Sequence, residues 1–168
     1  MYTVFFRRVL AFIVDYAIII AYALLLFLVS TLLKNHFNVD LNFGSPIKNQ
    51  ILSFFMLTLP VFLYFYLSER SARNATIGKK VMKLEVVSNK GNIFLRNFLK
   101  FLPWEIGHIG VYQIVFYDQQ QLPTPIWLWS VLIIPQLIVL IYLISTILSK
   151  GKRSIYDLIS NTEITLKS

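Results

Sequence analysis

The chain has 168 residues, of which 57% are hydrophobic, 15% aromatic and only 14% charged, and its formal net charge at pH 7 is +8. So few charged side chains cannot cover the surface of one water-soluble domain, and so many apolar and aromatic residues exclude a disordered chain. No cysteine is present, which excludes disulfide frameworks, thiolate zinc sites and cysteine nucleophiles.

Four apolar runs divide the sequence. A helix needs about 20 apolar residues to cross the roughly 30 Å hydrocarbon core of a membrane. Runs 9–33 and 126–149 reach that length, the first with the single charge Asp15 and the second with none, and run 51–68 is slightly shorter and uncharged. Run 101–117 includes Pro103, Glu105 and His108, so it either crosses or lies at the interface as an amphipathic helix. We predict an all-α membrane protein with four transmembrane helices.

Positive charges are unevenly distributed between these runs. Segment 69–100 carries eight Lys and Arg and tail 150–168 carries four, whereas loop 34–50 carries two and loop 118–125 carries none. Short cytoplasmic segments collect positive charge, so four spans with both termini cytoplasmic fit the counts, while three spans would leave the basic tail outside. We therefore expect a multi-pass protein of the cell (inner) membrane.

Segment 69–100 has a pattern of its own. Thr76 is a candidate N-cap for a short helix at 77–82, and residues 83–87 alternate before turn-forming residues at 88–92. This pattern predicts a small cytoplasmic surface hairpin between the second and third spans. The cations of the segment directly follow a span, so anionic lipid headgroups are the expected partner and nucleic acid is not.

Asp15 is the charged residue that the first span must accommodate. An ionised carboxylate near the centre of a membrane helix costs roughly 2.5–3.5 kcal/mol on insertion scales, so something must compensate it. Arg8 lies seven residues earlier, on nearly the same helix face but about 10 Å away along the axis. Two interpretations stay open: an intramembrane ion or proton site, or an ion pair that docks the first helix against segment 69–100 or the tail.

The tail contains a second polar cluster next to a membrane exit. Ser154 followed by Asp157 is similar to a capping box with Asp in place of Glu, which predicts a short helix start. Alternatively, Asp157 reaches Arg8 or Arg153 in a carboxylate and guanidinium network at the membrane edge.

Glu105 and His108 are three residues apart and therefore share one helix face. The simplest expectation is a hydrogen bond between them. A proton-relay role is the second interpretation and a metal site the third, since one such pair is little support for a metal.

Three regions of the sequence, in order, resemble the RDD family of small bacterial membrane proteins, and the resemblance covers most of the chain. The family is named for one arginine and two aspartates. The stretch RRVLAFIVD at 7–15 is similar to its first-helix motif, with Arg8 in the place of that arginine and Asp15 in the place of the first aspartate. ATIGKK at 75–80 is similar to its middle signature, which Arg96 follows. RSIYDLI at 153–159 is similar to its closing motif, with Asp157 as the second aspartate.

The sequence also departs from the family pattern. Tyr156 occupies a place where the family often has histidine, and Ser160-Asn161 replaces the usual Ala-Gly. The resemblance implies a membrane fold and a transport role that has been proposed for the family, including sodium/proton exchange in some members.

Two functions remain open. The first is a transporter or exchanger in which Asp15, assisted by Arg8 and Asp157, binds a monovalent cation or proton, with a homo-oligomer needed to form a pathway. Candidate supporting residues are Arg153, Arg96, Glu105 and His108. The second is a non-transporting accessory or assembly protein that binds lipid headgroups or partner proteins. Neither a phosphate-binding loop nor a catalytic triad pattern occurs, so we expect no enzyme, no catalytic residues, no cofactor and no metal.

Overall fold

The structure is a computed structural model that describes residues 3–39, 41–42, 44–88 and 91–167. Three of the described helices are long and apolar enough to cross a membrane by length and composition, namely Thr3–Phe37, Pro46–Arg70 and Ile126–Leu148. They contain the predicted runs 9–33 and 51–68 and nearly all of 126–149. The mostly helical architecture confirms the coarse prediction of an all-α membrane protein.

The helices and strands are numbered separately in chain order. They are α1 (Thr3–Phe37), α2 (Pro46–Ser53), a π-helical turn (Phe54–Thr58), α3 (Leu59–Arg70), α4 (Ile77–Val81), β1 (Leu84–Val87), α5 (Ile93–Gln119), α6 (Ile126–Leu148), α7 (Ile155–Ile159) and β2 (Glu163–Leu166). The first helix begins six residues before the predicted run, so Arg7 and Arg8 are helical.

The predicted span 101–117 lies inside α5, which continues through Pro103 for 27 residues. This helix is not among the three that are apolar enough to span by composition. Because length alone does not make a helix cross, the fourth crossing stays a prediction.

The π-helical turn interrupts the second long helix just before Pro60. Proline has no amide hydrogen, so the carbonyl four residues earlier, that of Met56, cannot receive the usual helical bond from residue 60. The hydroxyl of Tyr22 donates to that carbonyl at 2.7 Å. This contact ties α1 to the second long helix at the carbonyl that receives no hydrogen bond from residue 60.

The predicted surface hairpin is wrong in its second strand. β1 forms at the expected place, but it pairs in antiparallel fashion with β2 from the tail, with Leu84 opposite Leu166 and Val87 opposite Glu163. The physical reason is burial: Leu84, Val86 and Ile164 form a small core with Ala11 of α1. Residues 89 and 90 of the expected turn lie outside the described residues.

The long helices bury few of their apolar residues against the rest of the chain. Within the most apolar windows, the buried share is 6% in α1, 17% in the second long helix and 11% in α6. Such exposed apolar surface is incompatible with water, so these faces contact lipid or other copies of the chain.

Candidate functional site

Buried charged residues from five elements meet at one end of the molecule. We call this end, where α1 begins and α6 ends, the charged end. Five residues there form one connected series, Lys79–Glu69–Arg96–Asp157–Arg8, which we call the ion-pair chain. They come from α4, α3, α5, α7 and α1 in turn. The ion-pair chain therefore joins segments that are far apart in sequence.

Asp157 is fully buried and receives donors on both carboxylate oxygens. Arg96 Nε lies 2.7 Å from Oδ1, and Arg8 Nη2 lies 2.7 Å from Oδ2. The Ser154 amide donates to Oδ2 at 2.9 Å, and the Thr162 hydroxyl donates to Oδ1 at 3.2 Å. Burial alone would raise the pKa of Asp157, but the two guanidinium groups outweigh it and hold that pKa below its ordinary value.

Glu69 is the other carboxylate of the ion-pair chain and is also fully buried. Lys79 Nζ lies 2.6 Å from Oε1, and both Arg96 and the side-chain amide of Asn97 donate to Oε2. Arg96 thus bridges the two acids. Burial lowers the pKa of Lys79 below its ordinary value, although the charge of Glu69 opposes that shift.

Asp15 lies beside the ion-pair chain but is bonded differently. Its side chain is 2% exposed, and its three donors are neutral: the Tyr64 hydroxyl at 2.8 Å, the Gly78 amide at 2.9 Å and the Thr76 hydroxyl at 2.6 Å. Within the described ranges, no cationic side chain lies within 4.0 Å of its carboxylate. Lys79 and Lys100 act on Asp15 only over a longer distance.

Gly78 allows this arrangement through its missing side chain. A Cβ at position 78 would lie 2.1 Å from the backbone oxygen of Ala11 and 2.9 Å from the Asp15 carboxylate carbon. Only glycine lets α4 approach α1 so closely, which is what brings the Gly78 amide to Asp15.

Arg8 and Asp15 have different partners in the structure. Arg8 donates to Asp157, to the Tyr156 hydroxyl at 2.6 Å and to the Gly151 carbonyl at 3.0 Å. Asp15 instead faces α4 and Tyr64. The structure does not pair Arg8 with Asp15; each of them joins α1 to a different segment.

Both interpretations of Asp157 occur together. The reciprocal capping box with Ser154 begins α7, and the same carboxylate binds Arg8 and Arg96. Arg153 is not part of this network, because its guanidinium pairs with Glu163 at 3.0 Å on the surface. Tyr156, at the position where histidine is frequent, places its ring 5.7 Å below the Arg8 guanidinium carbon.

Glu105 and His108 lie nine and twelve residues beyond Arg96, about 13 Å and 18 Å farther along α5. Glu105 accepts a hydrogen bond from the side-chain amide of Gln50 on α2, and the His108 ring contacts the Trp104 ring with centroids 4.7 Å apart. The expected Glu105–His108 hydrogen bond does not occur. In the described part of the chain, no group of three or more His, Cys, Asp or Glu could hold a metal ion.

Sequence reasoning missed Glu69, Lys79, Tyr64 and Gln50 as parts of these sites. Glu69 had a usable signal, since it is the first charged residue after an uncharged span. Lys79 was counted as one of eight cations and lies in the ATIGKK stretch, but neither observation identified it as the partner of Glu69. Tyr64 and Gln50 carry no pattern that distinguishes them from other polar residues near a membrane.

A cavity of about 790 Å³ lies toward the opposite end, between α1, α2 and α5. Its wall is mostly apolar and includes Phe27, Leu52 and Val115. Neither Asp15 nor any member of the ion-pair chain lines it, so it is separate from the charged end.

The comparisons with known proteins identify a family. The family model described as the RDD family matches residues 2–161, a range that includes Arg8, Asp15, Arg96 and Asp157. No curated protein and no solved structure matches the chain. The match covers nearly the whole sequence, and with the three long apolar helices it shows that the chain is an integral membrane protein that belongs to the RDD family.

Proposed function

We propose that the chain exchanges a proton or a monovalent cation at Asp15. The observation that carries this proposal is a buried carboxylate that has only neutral donors, with no cation at ion-pair distance among the described residues. An ionisable group held in this way inside a membrane protein is a candidate site for a transported ion. Binding a proton or a cation would neutralise it.

The chemistry around Asp15 suits such a ligand. The hydroxyls of Tyr64 and Thr76 can each rotate to offer an oxygen lone pair where they now donate a hydrogen. Together with the carboxylate they would give a small monovalent cation the oxygen ligands that hard cations prefer. If a proton binds instead, Asp15 itself becomes the donor.

Asp157 and Glu69 differ from Asp15 because they are paired with cations. Each already has two cationic partners, so an additional cation would meet like charge. We assign the ion-pair chain, including Arg8 and Arg96, to holding the helices in place around Asp15. Arg153, which is bound to Glu163, has no part in the exchange.

The proposed topology has four crossings, with both termini cytoplasmic in the cell (inner) membrane. Four helices have one end at the ion-pair chain: α1 and α5 begin there, and α3 and α6 end there. Such an arrangement suits four helices that cross in alternating directions, with the charged end toward the cytoplasm.

Exposed cations and exposed apolar helix faces indicate two kinds of partner, anionic lipids and further copies of the chain. Arg70, Arg73, Lys80 and Lys83 are exposed at the charged end, where they suit the anionic headgroups of the cytoplasmic leaflet. Because so few apolar residues of the long helices are buried, we propose that two or more copies associate to enclose a pathway. The proposal involves no catalysis, cofactor, metal or nucleic acid.

One observation favours the second candidate function, a non-transporting accessory protein that binds lipids or partner proteins. Both oxygens of Asp15, Glu69 and Asp157 already accept hydrogen bonds. A fully satisfied polar network rigidifies a fold without any need for a ligand.

Flux measurements in liposomes containing only the purified protein separate the two functions. We expect the protein to dissipate a gradient of Na⁺, K⁺, Li⁺ or H⁺, Asp15→Asn to abolish that flux and Glu163→Gln to preserve it. Glu163 is the matched control because it is a carboxylate whose one ion-pair partner among the described residues is surface Arg153. If the unmodified protein is silent in all four gradients, the accessory function is correct and exchange is wrong.

A further inference from the structure

A second polar group lies within α5 and α2, away from the charged end. Glu105 and His108 belong to the predicted span 101–117, and Gln50 of α2 donates to Glu105. Three atoms of this group are buried and have no hydrogen-bond partner among the described residues: Gln50 Oε1, Glu105 Oε2 and His108 Nδ1. Buried polar atoms are rarely left unpaired, so three from neighbouring side chains call for a physical explanation.

All three atoms are acceptors when neutral His108 carries its hydrogen on Nε2, the tautomer that we assign here. A carboxylate oxygen and an amide oxygen only accept hydrogen bonds, and Nδ1 accepts in that tautomer. Acceptors cannot satisfy one another, and each costs free energy when it is buried without a donor. The Gln50 amide already donates to the other oxygen of Glu105, so these three atoms need a further donor.

We propose that Glu105 and His108, positioned by Gln50, bind one proton as a shared acid–base pair within α5. A proton taken from hydronium onto His108 Nδ1 makes that atom a donor and leaves Glu105 Oε2 to accept from it. The N–H bond forms as the hydronium O–H bond breaks, and one water molecule is released. One proton therefore gives hydrogen-bonding partners to two of the three atoms, and it neutralises the charge of Glu105.

The surrounding elements supply no competing charge. Glu105 is the charged group that acts on His108. Of the elements packed against α5, α6 contains no charged residue or histidine, and α2 contains only the exposed Lys48. The carboxylates and cations of α3 and α7 are Glu69, Arg70 and Asp157, all at the charged end, and the tyrosines of α3, α6 and α7 are Tyr64, Tyr66, Tyr142 and Tyr156. On α5 itself, Lys100 Nζ lies against the Phe65 ring at 3.5 Å, Arg96 belongs to the ion-pair chain, and Asp118 lies ten residues beyond His108.

This inference does not depend on exchange at Asp15. It assigns a proton to a different carboxylate, about 13 Å from Arg96 along α5, and its readout is protonation and not flux. Failure of one proposal would leave the other standing.

Trp104 provides a local reporter, since its ring contacts His108. The chain has three tryptophans, so replacing Trp127 and Trp129 by Phe leaves Trp104 as the sole indole. An imidazolium beside an indole ring quenches its fluorescence, whereas neutral imidazole does so much less. We expect the emission of this full-length protein in lipid nanodiscs to fall in a single step as pH decreases from about 9 to about 4.

Variants assign the step to the pair. His108→Gln should remove it, and Glu105→Gln should move its midpoint down by about one pH unit, because the carboxylate that stabilises the imidazolium is gone. Asp15→Asn should leave the midpoint unchanged. A flat titration of the single-tryptophan protein, or a midpoint that Glu105→Gln does not move, would overturn the proposal without reference to how well His108→Gln folds.

The same protein tests whether Na⁺ or K⁺, and not a proton, binds the three acceptor atoms. Replacing choline by Na⁺ or K⁺ at constant ionic strength should leave the midpoint unchanged. A midpoint that falls as either cation is added would assign the three acceptors to that cation and would contradict a site for a proton alone.

Discussion

At the scale of single residues, Arg8, Asp15 and Asp157 have unlike environments. Arg8 and Asp157 bind each other inside a series of alternating charges, while Asp15 has only neutral donors. A carboxylate that already pairs with two cations leaves no place for a cationic ligand, whereas a carboxylate without a cationic partner can bind one. We therefore separate a structural pair, Arg8 with Asp157, from the residue that we propose to exchange an ion, Asp15.

The ion pairing of Asp157 has a consequence for stability at low pH. Its pKa is lower in the folded protein than in the unfolded chain, so its contribution is complete above the unfolded value of about 3.9. That contribution is lost as the pH falls through the folded pKa. We expect the thermal unfolding midpoint in detergent to fall below about pH 4, and Asp157→Asn to be less stable at neutral pH and to show a smaller fall. An equal fall in the variant would contradict the assignment, and Glu163→Gln is the control.

A double-mutant cycle tests which carboxylate pairs with Arg8. Arg8→Leu alone should cost about 3–5 kcal/mol because it leaves Asp157 with one cation fewer. We expect a coupling free energy above about 1 kcal/mol between Arg8→Leu and Asp157→Leu, and one within about 0.5 kcal/mol of zero between Arg8→Leu and Asp15→Leu. Chemical unfolding in mixed micelles measures both. A large coupling to Asp15 would mean that the two α1 residues pair after all.

At the scale of elements, the close approach of α4 to α1 positions Asp15. The N-cap Thr76, the amide of Gly78 and the hydroxyl of Tyr64 converge on one carboxylate. The cap at Thr76 could be predicted from its residue type. Its second bond, to Asp15, could not, because it links residues 61 positions apart.

Gly78→Ala tests this contact. Its new Cβ would lie 2.1 Å from the Ala11 backbone oxygen, so α4 must move away from α1, and we expect a loss of about 1–3 kcal/mol in the free energy of unfolding. Gly107→Ala is the matched control, since its Cβ would meet nothing within 4 Å and alanine favours a helix over glycine. Equal effects of the two substitutions on the unfolding midpoint would contradict the role of Gly78.

The sequence predicts the first strand but not the strand with which it pairs. Alternation in Leu84–Val87 predicts a strand from local information alone, and the structure contains it. Its partner, Glu163–Leu166, lies about 80 residues away, and a four-residue strand carries no signal that identifies a distant partner. The nearer turn-forming residues therefore suggested a hairpin, whereas burial of Ile164 against Leu84, Val86 and Ala11 decided the pairing.

At the scale of the whole molecule, the helices are polar at one end and apolar over most of their length. The lengths of the apolar runs sufficed to predict the three long helices and the part of α5 at 101–117, because run length depends on local composition. The series from Lys79 to Arg8 required the three-dimensional structure. Its members are spread from α1 to α7, and several cations near Glu69 and Asp157 were equally plausible partners by sequence.

Cysteine accessibility tests the proposed topology, and the native absence of cysteine makes the measurement simple. Single cysteines at the exposed positions Asn42 and Gln120 should react with an impermeant maleimide added to intact cells. Cysteines at the exposed positions Arg73 and Lys152 should react only after the membrane is opened. If the Gln120 probe behaves like the Arg73 probe, α5 does not cross.

We propose that Asp15 exchanges the ion while the ion-pair chain holds the helices. The most direct measurement compares the internal pH of proteoliposomes after addition of a Na⁺ or K⁺ gradient, with equal amounts of folded protein. We predict no pH change with Asp15→Asn, and a retained pH change with the double variant Arg8→Leu/Asp157→Leu, because that variant removes a structural pair and keeps the exchanging carboxylate. Exchange that persists in Asp15→Asn would contradict the account.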